Sequence, residues 1–142
     1  MTEILRPDDL KKIADDADMA KAREHMSRAK KLEEEQAQLR EAFMGREIRP
    51  EAGERINLAI RRAAEQGQRE FQVFVFPASF CNDKGRRINN NEADWPESLD
   101  GFAKKAHEFY EKELRALGFK LHAQILDYPG GMPGNIAMIL KW

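Results

Sequence analysis

Apolar positions change their period near residue 70 of this chain. Before that point they recur at spacings of three and four in a background rich in Ala, Lys, Glu and Arg. Pro7, Asp8 and Asp9 supply a helix start with acids in its first turn, and Gly45 is the next stop signal, so the pattern predicts one long helix from Asp8 to Met44. Within it Ala22, His25, Ala29, Leu32, Gln36, Leu39 and Phe43 alternate steps of three and four, the spacing of a seam that faces a partner helix. Two seam members are polar and two are alanine, while Leu10, Ile13, Ala17 and Ala20 lie on a stripe out of phase with it. At 1.5 Å per residue an unbroken helix of that length reaches about 55 Å, so it must project, pair or break. Pro50 and Glu51 then open a second helix with Ala52, Ile56, Ala59, Ile60 and Ala63 on one face, and Gly67 is placed to end it.

After residue 70 the pattern shortens. Phe71 to Phe76 is aromatic and β-branched with apolar side chains on both faces, which predicts a strand covered on both sides and closed by Pro77. A connection of about sixteen structureless residues comes next. Asp94 with Glu97 three residues on has capping-box register for a third helix, whose expected core stripe is Leu99, Phe102, Ala106, Phe109, Glu113 and Leu117. Gly118 is positioned as a left-handed helix cap. Phe119, Leu121, Ala123 and Ile125 alternate with Lys120, His122 and Gln124 in a second strand, one face to core and one to water. A Gly- and Pro-rich turn leads to a third strand, Ile136 to Trp142.

This order predicts an α+β fold: an N-terminal helical hairpin with a long first helix, then β-α-β-β with a three-stranded mixed sheet of the split βαβ kind. The third strand is expected between the other two, because the second strand carries the polar outer face. Residues 1–67 are read as a helical arm packing partly on the sheet, and 68–142 as the core domain. The N-terminal helices are the expected cover for the second face of the first strand.

Composition sharpens this division. Of the large apolar residues V, I, L, M, F, W and Y, 15 precede residue 71 and 25 lie beyond it, and 11 of the 12 aromatics fall in the later part, so the core is encoded late. Lys and Arg number 24 against 25 Asp and Glu, a net charge of -1. That balance, with acids interleaved throughout, argues against nucleic acid as a partner even where Arg61, Arg62 and Arg69 could join loop cations. The single cysteine, Cys81, excludes an internal disulfide framework and fits a reducing compartment. No apolar run has the length of a membrane span, and a cytoplasmic location with no membrane partner is expected.

Candidate chemistry gathers in two loops. If the first and second strands point the same way, the connection of residues 78–93 and the loop of residues 127–135 leave the sheet at one rim. Lys84, Arg86, Arg87, Asn89, Tyr128, Gly130 and Gly131 then compose a candidate site for an anionic small ligand or nucleotide, with guanidinium forks and exposed glycine amides as donors. The competing reading is of solvated loop charges and asparagines that bond their own backbone. Neither a Walker loop nor a GxGxxG turn is present. Cys81, Asp83 and Asp127 are the candidates for catalysis, but His107 and His122 are spaced too far along their elements to serve Cys81 as a base. His107 and Glu111, four apart on a helix, lack a third ligand, so no metal and no cofactor is expected.

These readings favour a small non-catalytic protein-interaction or assembly module. Another protein or a second copy would dock through Leu32, Leu39 and Phe43 of the first helix or through Met132 in the glycine-rich loop. An anion site at the rim is the alternative, and an enzyme using Cys81 or the loop carboxylates a second one.

Overall fold

The computed structural model describes residues 3–142, and the chain divides into two compact units at Glu41/Ala42. From Pro7 onward the first unit is one continuous stretch of helix α1 (Pro7–Gly45), whose last turn belongs to the second unit. Arg6 donates its backbone N–H to Asp9 at its start, and Arg28 pairs with Glu24 at 2.6 Å along its surface. The long periodic segment is therefore unbroken, and every side chain from Glu3 to Glu41 is exposed.

The second unit begins with the last turn of α1 and contains α2 (Ala52–Glu65), β1 (Glu70–Pro77), α3 (Arg86–Asn89), α4 (Gly101–Phe109), β2 (Lys120–Ile125) and β3 (Asn135–Lys141). Helix α2 ends as its glycine predicts. Gly67 adopts φ +78°, and the amides of Gly67 and Gln68 donate to the carbonyls of Ala64 and Ala63, capping the last turn.

The sheet order is β1-β3-β2. β3 is antiparallel to both neighbours, from Glu70↔Lys141 to Pro77↔Asn135 on one side and from Lys120↔Lys141 to Ile125↔Ile136 on the other. The expectation of a mixed sheet is thus corrected: every hydrogen-bonded pair is antiparallel. β1 and β2 run the same way, but the last strand separates them, so no parallel ladder forms. As the central strand, β3 is buried from Ile136 to Leu140.

One core forms on the face presented by Phe74, Phe76, Leu121, Ala123, Ile125, Ile136 and Met138. β1 is not covered on both sides, because Val75 on its other face is 42% exposed. A bulge between Gln72 and Phe74 accounts for the dense aromatic spelling of this strand: the extra residue breaks strict alternation, and Val73 and Phe74 line the same cavity. Phe43, in the last turn of α1, enters this core, its ring 5.4 Å from Phe76 and 5.0 Å from Phe80.

Two expectations for residues 78–117 are corrected. The first connection is not structureless. It forms a 3-10 turn (Ala78–Phe80) and α3, and contributes Ala78, Phe80, Cys81 and Ile88 to the core. The third helix does not open at Asp94, whose side chain makes no cap hydrogen bond and instead pairs with Arg87. Trp95–Ser98 is a 3-10 turn and α4 starts at Gly101. α4 continues through a π-helical turn (Tyr110–Leu114) and a 3-10 turn (Arg115–Leu117) to Gly118 at φ +101°. The π turn accommodates one extra residue and rotates the side chains beyond it about the helix axis. Leu114 therefore takes the inward position expected of Glu113, and Leu117 is left 72% exposed.

Candidate functional site

The residues of the two rim loops are brought together. Ala78 donates its amide to the Gly134 carbonyl at 2.7 Å, and the Tyr128 hydroxyl donates to Asn89 Oδ1 at 2.8 Å. Their charges, however, are largely spent on each other. Asp83 accepts the amides of Gly85 (2.9 Å) and Arg87 (3.0 Å), which shapes the turn into α3. Arg87 lies 3.8 Å from Asp83 and 3.3 Å from Asp94, and Arg86 lies 3.1 Å from Glu92. Lys84, exposed at φ +58°, is the one loop cation without an ion pair among the described residues. Asp127 accepts the amide of Asn135 at 2.6 Å and closes its own loop. Gly130 and Gly131 adopt positive φ in an exposed turn, where Tyr128 and Met132 are also exposed.

Cys81 does not have the setting of a nucleophile. It is 4% exposed, and burial, then the charge of Asp83, pushes its thiol up to about 12 against the opposing Ser98 hydrogen bond. His107 is packed edge-on to Trp95 and lies 3.6 Å from Glu111, and burial holds its pKa below the usual histidine value. His122 is likewise lowered by burial and then by Lys141. Among the described residues no group of three His, Cys, Asp or Glu side chains is arranged to hold a metal ion, and no helix is long and apolar enough to cross a membrane.

Of the expected docking residues, Leu32 and Leu39 are both 61% exposed on α1. Phe43 is not free in the same way, being engaged with Phe76, Phe80 and Phe102.

The pattern of the sequence does not disclose one concavity of the second unit. A cavity of about 210 Å³ lies between the segment of residues 46–49, α2, the α4 helix with its π turn, and the inner sheet face. Val73, Phe74, Leu121, Met138 and Leu140 line it from the sheet. Phe102, Ala106, Phe109, Tyr110 and Leu114 line it from the helix, and Ile48, Ala52 and Ile56 from the opposite wall. The Tyr110 hydroxyl is turned to other use, donating to the Phe119 carbonyl at 2.7 Å. Arg46, Arg49 and Arg55 are exposed members of the lining, and the Arg46 guanidinium lies 4.2 Å from the centre of the Phe102 ring. The one acid of the lining, Glu47, is bound by Lys105 at 2.7 Å. The apolar residues come from elements as far apart as Ile48 and Leu140, so no local motif marks them. Three arginines within ten residues, at 46, 49 and 55, were the only available signal.

No family model, no curated protein and no solved structure matches this chain.

Proposed function

We propose that the protein is a non-catalytic interaction or assembly module whose docking element is α1. The observation that carries this reading is that every side chain of α1 from Pro7 to Glu41 is exposed, Leu10, Ile13, Met19, Met26, Leu32 and Leu39 among them. Helices owe most of their stability to packing apolar side chains against a neighbour, so a helix of this length whose apolar side chains stay exposed is fitted to meet a partner. Leu32 and Leu39 are seven residues apart and stand on the same seam, so a partner helix from another protein or from a second copy would meet both. The inert setting of Cys81 and the internal use of Asp83 and Asp127 favour a role without bond chemistry.

The test is a Leu32→Glu/Leu39→Glu double variant of the full chain. Sedimentation and affinity capture are compared with wild type. The reading expects the wild-type assembly or captured partner to be lost in the variant while its circular dichroism keeps the sheet signal. A wild type that stays monomeric and captures nothing the variant does not also capture overturns it.

A further inference from the structure

We propose that the cavity of the second unit binds a small amphipathic carboxylate, an acyl chain of roughly eight carbons whose head group meets Arg46, Arg49 and Arg55. This goes beyond the docking role of α1 and rests on different residues. The volume of about 210 Å³ exceeds the ~150 Å³ of an engineered apolar cavity that accepts benzene. Divided by the ~30 Å³ share of a water molecule, it has room for about seven small groups. Phe74 and the fully buried Met138 and Leu140 line it from the sheet, and the Tyr110 hydroxyl beside them is already given to Phe119. Such a space favours hydrocarbon, because a polar body would lose its water without a partner.

The exposed part of the lining is cationic. Arg46 and Arg49 have no carboxylate within ion-pair distance among the described residues, Arg55 has only Glu51 at 4.0 Å, and Lys105 neutralises Glu47. Unpaired guanidinium groups beside an apolar cavity match an anion joined to an apolar body, and their forked donors suit a carboxylate. Arg46 is held in place over Phe102, itself a lining residue. The π turn is the second structural sign. It brings Leu114 and Tyr110 to the cavity, and such turns recur at functional sites although they weaken the helix that carries them.

The experiment is calorimetric titration of the full chain with sodium octanoate below its micelle concentration, with 1-octanol as the probe of equal length and no charge. Octanoate is expected to bind about tenfold more tightly than octanol. An Arg46→Gln/Arg49→Gln double variant, altered only at exposed side chains, should bring octanoate down to the octanol level and leave octanol unchanged. Ala106→Leu, which fills the cavity, should weaken both, with circular dichroism and melting confirming the fold. Failure of octanoate to bind overturns the proposal. So does equal binding of octanol and octanoate by the wild type, which marks a site for purely apolar groups, and so does a double variant with undiminished octanoate affinity.

Discussion

A β-carbon on Gly101 would lie 2.7 Å from the α-carbon of Met44. The end of α1 and the start of α4 thus meet backbone to backbone, and Gly101 holds φ +57°, a conformation that side chains resist. Close approach at this point is what lets Phe43 reach Phe76, Phe80 and Phe102.

Gly101→Ala is accordingly expected to destabilise the fold by about 2–4 kcal/mol, combining left-handed strain with the clash. Denaturant melts of the two proteins check this, and a change below about 0.5 kcal/mol would mean that the contact is not as close as described.

Asp83 and Arg86 separate structural from solvated charge in the rim loops. Asp83→Ala removes the acceptor of two amides and a partner of Arg87, and should cost about 1–3 kcal/mol. Arg86→Ala breaks an exposed pair with Glu92 and should cost less than about 1 kcal/mol. Urea midpoints of both variants, compared with wild type, should show this ranking.

Cys81 should be slow to react with thiol reagents in the native protein near neutral pH and fast after unfolding. Its pKa is raised in the fold, from 9.0 to about 12, so the native state holds the proton more tightly than the unfolded chain. The associated stability is full below about pH 9 and is lost as pH rises towards 12. Cys81→Ser melts across that range should show a shallower alkaline decline.

The histidines act at the other end of the scale. His107 and His122 both have pKa values lowered by burial, so the unfolded chain binds protons before the native state does. Their contribution to stability is present above the ordinary histidine pKa of 6.5 and falls as pH drops through the lowered native values. A His107→Gln/His122→Gln variant should lose less melting temperature than wild type between pH 7 and pH 5. An identical decline in the two proteins would remove these groups as its source.

Much of the local plan was legible in the residues, for local reasons. Gly67 and Gly118 mark helix ends because a left-handed residue is needed there, and both adopt it. The alternation of Leu121, Ala123 and Ile125 with His122 and Gln124 identified the core face of β2 because strand side chains alternate by construction. Residues 78–93 misled, because turn-forming Asn, Asp and Gly conceal how Phe80, Cys81 and Ile88 contribute to the core. Leu117 misled because one extra residue in a π turn cannot be seen from spacing alone.

Local pattern alone placed the three strands, the two N-terminal helices and the glycines at 67 and 118, but it left open whether the first helix breaks and missed both α3 and the true start of α4. What it placed depends on neighbours a few positions apart. Tertiary structure alone decided that every ladder is antiparallel and that Arg86 and Arg87 are occupied by Glu92, Asp83 and Asp94. It alone decided, too, that Arg46 lines one cavity together with Met138 and Leu140. These relations join residues far apart in the chain, and only the docking of whole elements on the sheet brings their side chains within a few ångströms.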